Sequence, residues 1–328
     1  MKSRIHMEVF LKLDDLPFNF GPTIVSIGNF DGVHLAHARV LKEVAQRGLA
    51  QGKRSLAVTF EPHPMRILRA EAGLKLITPA TEKLGLLEAS GINATLILPF
   101  NNKLADMTPE DFVRDILKGR LHALEVHEGF NFRFGRKASG DVNLLKQFGR
   151  SMAFEVMLYP EMRVSKEPVS STHIRTLLEA GEVSRTRHLL GRLFSIQSTR
   201  AHGRGYGSKY TVPTINLGPY DELVPKDGVY ITRTQITSTQ AGEECFDSVT
   251  NIGNRPTFGA NSFAIESHLL NFHPLEITEE TKIRIHFLKR LRDEKKFPSV
   301  DALREQIGRD VRKARRYFEL LSSKSAEV

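Results

Sequence analysis

The chain has 328 residues, of which 40% are hydrophobic and 26% are charged, a composition typical of a globular protein and unlike that of a disordered one. No apolar run approaches the roughly 18 residues that a membrane span requires, and the first residues lack the apolar core of a signal peptide. The single cysteine, Cys245, excludes an internal disulfide and is typical of a reducing compartment. We therefore expect a cytoplasmic protein.

The formal net charge of +9 favours an anionic partner, such as nucleic acid, an anionic membrane surface or a polyphosphate ligand. Much of the excess lies near the end of the chain, where KRLRDEKK and RDVRKARR mix basic with acidic residues. Strong nucleic-acid binders usually cluster their positive residues. A solvated helix face therefore explains this spacing about as well as a binding patch does.

Residues 23–190 alternate strand-like and helix-like segments. Short apolar runs such as TIVSI, SLAVTF and ATLILPF are separated by helical patterns such as HARVLKEVAQRG and PEDFVRDILKG. This alternation predicts an α/β domain with a parallel sheet and helices on its faces. Thr108-Pro109-Glu110 and Ser171-Thr172 have the composition of helix starts.

The segment GNFDGVHLAH, residues 28–37, directly follows the first apolar run. Ligands of open parallel sheets bind beyond the carboxyl ends of the strands, and the start of the next helix favours anions. Gly28 and Gly32 permit a tight turn and a close approach of the backbone to a ligand. His34 and His37 lie on one face of the first helical turn, which favours phosphate binding during phosphoryl or nucleotidyl transfer.

Two other interpretations of these histidines stay open. They are surface residues of an ordinary strand–helix turn, or they bind zinc, for which only His63 offers a third ligand and no cysteine is near.

A second motif, VSSTHIR at residues 169–175, places hydroxyls and Arg175 at another helix start. These groups suit a triphosphate, and a plain serine/threonine cap with a surface arginine is the alternative.

After about residue 190 the pattern changes to strand-like runs between glycine and proline turns, such as FSIQST, GVYITRTQI and KIRIHFL. These runs predict a small antiparallel β-barrel. The final segment has apolar residues at steps of three and four, which predicts a helix packed on the barrel. The stripe consists of Val300, Leu303, Ile307, Val311, Ala314, Phe318 and Leu321.

Two sets of motifs point to one family. GNFDGVHLAH, TFEPHP, GFNFRFG and SSTHIRTLLEAG resemble, in that order, the N-terminal module of prokaryotic bifunctional riboflavin kinase/FAD synthetases, a nucleotidyltransferase of the HxGH class. PTIN, NIGNRPTFG, ESHLLNF and LRDEKKF resemble the riboflavin kinase module of the same family. The resemblance implies a Rossmann-like FMN adenylyltransferase domain over residues 1–187 and a riboflavin kinase β-barrel domain with a C-terminal helix over residues 188–328.

The resemblance implies that ATP phosphorylates riboflavin to FMN and then adenylylates FMN to FAD with release of pyrophosphate. It implies Mg²⁺ at both reactions and small-molecule partners alone, namely riboflavin, FMN and ATP, without nucleic acid or membrane. It leaves a homo-oligomer open. The alternatives are a chain that retains one of the two activities and a basic two-domain protein that binds RNA.

The candidate kinase residues lie in the second half of the chain. Thr214 and Asn216 face the same side of a strand, and their oxygens are ligands that Mg²⁺ accepts beside ATP phosphates; the resemblance assigns this role to PTxN. It assigns to Glu266 the role of general base toward the ribityl 5′-hydroxyl. The alternatives are ordinary strand residues and a half-exposed glutamate in an ion pair. Arg292 binds the flavin or its phosphate, or is a surface arginine.

In the adenylyl transfer, FMN phosphate attacks the α-phosphorus of ATP without a protein nucleophile, so positioning and charge stabilisation determine the rate. We expect His34, His37 and Arg175 to contact the phosphates. The other expected contacts to ATP are Gly28, Asn29, Phe30, Asp31, Gly32, Ser171, Thr172, Gly207 and Lys209. Asn131 matches the flavin-side asparagine of the family, and Phe60 either offers apolar surface to the isoalloxazine ring or belongs to the core.

The chain departs from the family pattern at four positions. Ala36 occupies the glycine slot of HxGH, where a positive φ would cost alanine about 1 kcal/mol or more. Pro168 stands where a basic residue is common. In the kinase loop, Ser208 and Thr211 replace an arginine and a glycine. These departures put the affinity for nucleotides in question at both sites.

Overall fold

The computed structural model describes residues 6–201, 214–238, 242–254, 263–273, 275, 278 and 280–325. The predictions for Gly207, Ser208, Lys209 and Thr211 lie outside these residues. The chain divides into two compact units, Met1–His173 and Ile174–Val328. Among the helices of the described ranges, none combines the length and the apolar composition that a membrane crossing needs.

The first unit contains one sheet of six strands, and every neighbouring pair in it is parallel. The strands are β1 (Glu8–Phe10), β2 (Thr23–Ile27), β3 (Arg54–Glu61), β4 (Ala94–Pro99), β5 (Ala123–Gly129) and β6 (Glu155–Tyr159). Their order is β1-β4-β3-β2-β5-β6. The chain therefore proceeds to one side of β2 through β3 and β4 and then returns to the other side through β5. Such a reversal opens a crevice at the carboxyl ends of the two central strands.

Helices cover both faces of this sheet. They are α1 (Leu35–Gln51), α2 (Pro64–Leu68), α3 (Ala80–Ala89), α4 (Asn102–Ala105), α5 (Pro109–Asp111), which continues as a π-helix over Phe112–Arg120, and α6 (Val142–Met152). A short hairpin, β7 (Arg163–Val164) and β8 (Glu167–Pro168), precedes α7 (Ser171–Glu179). Thr108 caps α5, because its hydroxyl accepts the Asp111 N–H at 3.1 Å. The predicted α/β architecture is confirmed.

The apolar core of the first unit has one cluster on each face of the sheet. Leu56 and Val58 of β3 pack with Ile116 of the π-helix, whereas Ala57 packs with Leu41 of α1 on the opposite face. Burial of both faces explains why the strands read as continuous apolar runs without polar alternation.

The second unit contains α8 (Val183–Leu190) and a sheet of six strands, followed by a long helix. The strands are β9 (Phe194–Ser198), β10 (Thr214–Asn216), β11 (Gly228–Ser238), β12 (Gly242–Asn254), β13 (Phe263–Leu269) and β14 (Lys282–Arg292). All neighbours are antiparallel in the order β10-β13-β12-β11-β14-β9. Helix α9 spans Val300–Ser325.

Residues just after β9 pair with the end of β10 and with the residues that follow it. The Ala201 N–H donates to the Asn216 carbonyl at 2.9 Å, and the Gly218 N–H donates to the Thr199 carbonyl at 2.8 Å. The predicted antiparallel sheet with a C-terminal helix is confirmed. Within the described residues, however, these two bonds replace the continuous ladder that a closed barrel would have.

Only the second half of the predicted apolar stripe of α9 is buried. Ala314 and Phe318 pack on Val229 and Ile231 of β11. The first three stripe residues, Val300, Leu303 and Ile307, are exposed. Periodicity thus predicted the helix but overestimated how far the sheet covers it.

Five hydroxyl groups form a closed ring in the interior of the second unit. They belong to Thr232, Thr234, Ser248, Thr250 and Ser267, all fully buried, and successive oxygens are 2.7 to 3.1 Å apart. Each hydroxyl has one proton to donate, so a ring lets every member donate one bond and accept one. The polar cluster is therefore satisfied without a charge.

Candidate active sites

The turn between β2 and α1 is strained. Phe30 and Val33 have φ values of 46° and 36°, in the left-handed region that costs a non-glycine residue of order 1 kcal/mol or more. Gly32, with φ 81°, takes a similar conformation without that cost. The Gly28 N–H donates to the Val58 carbonyl at 2.9 Å and so extends the β2–β3 ladder into the turn. Strain of this kind clusters at ligand sites.

The two histidines of the turn stack on each other. Nδ1 of His34 caps α1 by accepting the His37 N–H at 3.3 Å, and the two ring centroids are 3.6 Å apart. The ring of Phe30 packs edge-on against His37. Burial and the neighbouring His34 lower the pKa of His37 well below its usual range, so the imidazole is neutral at pH 7. Its Nδ1 atom is buried and has no hydrogen-bond partner within the described ranges.

Ala36 lies in the first turn of α1, in helical conformation. Because its φ is not positive, alanine occupies the glycine slot of HxGH without backbone strain. Pro168 pairs with Arg163 across the β7–β8 hairpin, so a basic residue stands beside the position where the family often has one.

Asp31 joins the first motif to the second. Its carboxylate accepts the N–H groups of Ile77 and Thr78 at 2.9 and 3.2 Å, and its carbonyl accepts the Ser171 hydroxyl at 2.9 Å. Asp31 and Ser171, both predicted to contact ATP, thus bond to the protein and hold the turn against the start of α7. Thr172 follows on this helix, and Arg175 comes one turn after Ser171.

Strands β2 and β5 separate at the crevice. Their last register pair is Val25 with Val126, and the Ile27 N–H beyond it donates to Oε1 of Glu128 at 2.6 Å. Glu128 is only 4% exposed, and burial raises its pKa well above the usual range. The sequence interpretation missed this residue, although a glutamate in a strand buried on both faces is itself a signal.

The expected flavin-side residues lie near the same sheet edge. Asn131 is exposed in the turn that follows β5. Phe60, near the end of β3, is half-buried, packs against the core and meets the ring of Phe100 edge-on at 5.8 Å. Phe60 therefore fits both of its expected roles, as core and as apolar surface.

The candidate kinase residues form a row across three strands of the second unit. Asn216 of β10 is the register partner of Glu266 in β13, and Glu266 is the partner of Asn251 in β12. Register partners share a face of the sheet, so an amide, a carboxylate and a second amide stand side by side. Thr214 lies on the same face, two residues before Asn216. Glu266 is half-buried, between the buried Ile265 and Ser267.

The oxygens of Thr214 and Asn216 are hard ligands, which fit Mg²⁺ better than a softer metal. Within the described residues, no group of three His, Cys, Asp or Glu side chains is arranged to hold a metal ion.

Arg292, at the end of β14, is tied to α9. Its Nε donates to Oδ2 of Asp310 at 2.9 Å, and Asp310 is buried and also accepts from Gln306. The guanidinium lies 5.8 Å from the ring of Phe297. This arginine anchors the helix, and its expected contact with flavin stays a prediction.

Family models match both units. Residues 18–173 match the model described as FAD synthetase, and residues 190–318 match the model described as riboflavin kinase. The two matches leave residues 174–189 unassigned, so the predicted domain boundary between residues 187 and 188 stays a prediction.

The chain also resembles curated proteins over most of its length. It is 32% identical over 300 residues to a bifunctional riboflavin kinase/FMN adenylyltransferase of Buchnera aphidicola, a match that covers 90% of this chain and 94% of that protein. Identity to the Bacillus subtilis protein of the same name is 31% over 301 residues, with 90% and 92% covered. A solved structure named as a macrolide-efflux protein from Streptococcus pneumoniae has a TM-score of 0.81, covers 94% of this chain and 98% of its own, and is 24% identical. That last likeness shows a shared fold alone.

Proposed function

Because the chain belongs to the bifunctional riboflavin kinase/FMN adenylyltransferase family, we propose that its two reactions take place at two separate sites, one in each unit. The chain phosphorylates riboflavin to FMN with ATP and adenylylates FMN to FAD with release of pyrophosphate. The observation that carries the two-site proposal is the separation of the motifs. The paired histidines belong to the parallel sheet of the first unit, and the Asn216–Glu266–Asn251 row belongs to the antiparallel sheet of the second.

In the first unit, an oxygen of the FMN phosphate attacks the α-phosphorus of ATP, and the bond from that phosphorus to the pyrophosphate oxygen breaks. The amino end of α1, His34 and His37 stabilise the negative charge on the phosphates. The expected phosphate contact of Arg175, which belongs to the second unit, stays a prediction. His37 is neutral in the free protein, so it first acts as a hydrogen-bonding group. An anionic ligand beside it would favour the protonated ring.

The crevice between β2 and β5 supports a flavin site beside this nucleotide site. Phe60 and Asn131 lie at the carboxyl edge of the sheet, as expected for groups that hold the isoalloxazine ring and direct the FMN phosphate toward ATP. The turn residues Gly28, Asn29 and Gly32 would then approach the nucleotide through their backbone. Asp31 supports the site indirectly, because its carboxylate holds the turn in place.

In the second unit, Glu266 accepts the proton of the ribityl 5′-hydroxyl, and the resulting oxygen attacks the γ-phosphorus of ATP while ADP leaves. Thr214 and Asn216 would hold Mg²⁺ together with the ATP phosphates. A bound Mg²⁺ would neutralise charge that develops on the transferred phosphoryl group. Because Asn216 and Glu266 are register neighbours, the metal ligand and the base would face one substrate.

We also propose a cytoplasmic location, which the single cysteine supports, with small molecules as the only partners. We include a homo-oligomer in this proposal, and size-exclusion chromatography with light scattering would test it by measuring the mass of the protein in solution. Salt-sensitive retention of RNA without nucleotide turnover would instead support the RNA-binding alternative.

A product-resolved assay tests the two-site proposal. Purified protein is incubated with Mg²⁺, ATP and either riboflavin or FMN, and the flavins are separated by chromatography. We expect FMN and FAD from riboflavin, FAD from FMN, and no product when Mg²⁺ is chelated. If riboflavin yields FMN but no FAD, the first site is inactive and the proposal is contradicted there. If FAD forms from supplied FMN but not from riboflavin, the second site is inactive. Single-site variants that abolish both reactions while the protein stays folded would contradict their separation.

A further inference from the structure

Lys83 of α3 is a buried cation for which the described part of the chain provides no hydrogen-bonded counter-ion. Its side chain is only 5% exposed, although lysine is almost never fully buried unless it is paired. Its Nζ donates to the Thr59 hydroxyl at 3.3 Å and to the Asn29 carbonyl at 3.5 Å. Both acceptors are neutral and both distances are long for such bonds. A buried ammonium in these surroundings is costly unless an anion compensates it.

One acceptor of Lys83 belongs to the proposed phosphate site, and the other lies on the strand beside it. Asn29 is the second residue of the strained turn that leads into α1, and Thr59 lies on the neighbouring strand β3. The Thr59 hydroxyl also donates to the Asn29 carbonyl at 3.3 Å. Lys83 is therefore the cationic end of a small cluster that meets the turn from the side of α3.

The charged groups around Lys83 do not replace the missing partner. Glu61, at the end of β3, and Asp31, in the turn, favour the charged ammonium, but burial outweighs them and lowers the pKa of Lys83. The Asp31 carboxylate already accepts two backbone N–H groups. Neither carboxylate is within hydrogen-bond distance of Nζ among the contacts of the described residues.

From this we infer that Lys83 binds the β- and γ-phosphates of ATP in the adenylyl transfer. The phosphates then compensate the buried ammonium, and the ammonium compensates the charge of the leaving pyrophosphate. The inference rests on the proposed first site. As the bond between the α-phosphorus and the bridging oxygen breaks, the electron pair remains on that oxygen, and the ammonium stabilises the new negative charge on pyrophosphate. The long bonds to Thr59 and Asn29 are those that the lysine would exchange for the ligand.

Charge-removing and charge-retaining variants of the full chain test this role. Lys83→Met removes the ammonium, and Lys83→Arg keeps a cation. We expect Lys83→Met to lower kcat/KM for ATP in FAD formation about 10- to 100-fold, the usual effect of losing one charge-assisted bond, and Lys83→Arg to recover part of it. The KM for FMN should change much less. Riboflavin kinase activity should be unchanged, and it reports the fold of the second unit. Lys146→Met, on the exposed face of α6, is the matched control for the loss of one lysine charge.

A binding readout separates this role from a structural one. Magnesium pyrophosphate should raise the melting temperature of the wild type and of Lys83→Arg but not that of Lys83→Met. In a structural role, Lys83→Met would weaken ATP and FMN equally and keep the pyrophosphate shift, and that result would overturn the inference. If Lys83→Met does not fold, the pH profile decides. Because the pKa of Lys83 is lowered, kcat/KM for ATP should fall at alkaline pH in the wild type and less in Lys83→Arg, and equal profiles would overturn the inference.

The His37→Ala variant distinguishes failure of this inference from failure of the proposed site. If His37→Ala abolishes FAD formation but Lys83→Met leaves it unchanged, only the role of Lys83 is wrong. If His37→Ala has no effect, the proposed first site itself is wrong.

Discussion

The two units of this enzyme place their polar groups in opposite ways. In the first unit, ionisable side chains are buried around the crevice. Burial lowers the pKa of His37 and Lys83 and raises the pKa of Glu128, so it favours the neutral form of each group. In the second unit, the closed ring of buried polar groups consists of uncharged hydroxyls and the buried carboxylate Asp310 is paired with Arg292, whereas Glu266 is half-buried on the outer face of the sheet. The proposed first site thus contains buried ionisable groups that a ligand could contact, whereas the candidate base of the proposed second site is half-buried on the outer face of its sheet.

The two sheet types explain this difference. A parallel sheet is covered by helices on both faces, so a side chain at the end of a central strand is buried whatever its chemistry. An antiparallel sheet can leave part of one face open, and the register then places polar residues side by side on it. Nucleotidyl transfer without a protein nucleophile benefits from preorganised charge in a dry site, whereas a general base must reach the substrate hydroxyl.

The largest effect is expected at the half-buried candidate base of the second unit. Glu266→Gln should lower riboflavin phosphorylation about 10²- to 10⁴-fold, because the amide cannot accept the hydroxyl proton. FAD formation from supplied FMN should persist at the wild-type rate. Chromatographic rates with riboflavin and with FMN give both values for one preparation. A variant that still makes FMN at more than a tenth of the wild-type rate would remove Glu266 from the site.

His37→Ala is the reciprocal test in the buried site. It should lower FAD formation from FMN about 10²- to 10³-fold, the typical effect of removing one group that stabilises transition-state charge. FMN formation from riboflavin should not change. The same chromatographic assay measures both rates, and loss of both activities in a folded variant would mean that the two sites are not independent.

The hydroxyl ring predicts a stability effect without a charge. Thr250→Val has nearly the same shape but leaves the hydroxyls of Thr232 and Ser267 each without one partner. We expect the second unit to lose about 1–3 kcal/mol of unfolding free energy. Urea unfolding followed through the loss of riboflavin kinase activity measures this change. Thr250→Ser keeps the hydroxyl and is the matched control, because it removes only the methyl group. A Thr250→Val variant as stable as the wild type would contradict the contribution of the ring.

The smallest effect concerns Glu128 and depends on pH. Burial raises the pKa of this carboxyl in the folded state above its ordinary value of 4.5, so the folded form binds its proton more tightly. Its contribution to stability is full below about pH 4.5 and is lost as the pH rises toward the folded pKa. Glu128→Gln cannot ionise and keeps an acceptor for the Ile27 N–H. It should therefore match the wild type near pH 4 and unfold at higher urea concentration at pH 8.

Urea unfolding at both pH values, followed through FAD formation after return to assay conditions, measures the effect of Glu128→Gln. Glu110→Gln, at an exposed position of α5, controls for the general effect of losing a carboxylate. A stability difference between Glu128→Gln and wild type that is the same at pH 4 and pH 8 would contradict the burial argument.

Local signals in the sequence predicted most of the architecture and the placement of the motifs. The alternation of apolar runs and helical patterns over residues 23–190 predicted the parallel sheet, and GNFDGVHLAH predicted a tight turn into α1. The strain at Phe30 and Val33 is visible only in the structure. Pattern was less reliable where long-range packing decides. The stripe of α9 extends beyond the surface that covers it, and Asp31 bonds to Ile77 and Thr78, which no motif indicated.

The sequence alone determined the two-part organisation, the family and the motifs on which both proposed sites rest, because turns, helix starts and strand alternation depend on neighbours in the chain. Tertiary structure alone decided which charges are buried. Lys83 lies in an ordinary helical pattern, and Glu128 lies at an ordinary strand end. The burial of each side chain arises only where distant segments meet, for Lys83 beside the turn at Asn29 and for Glu128 where β2 and β5 separate. Free energies of burial depend on everything that surrounds a group, and that surrounding does not exist until the chain has folded.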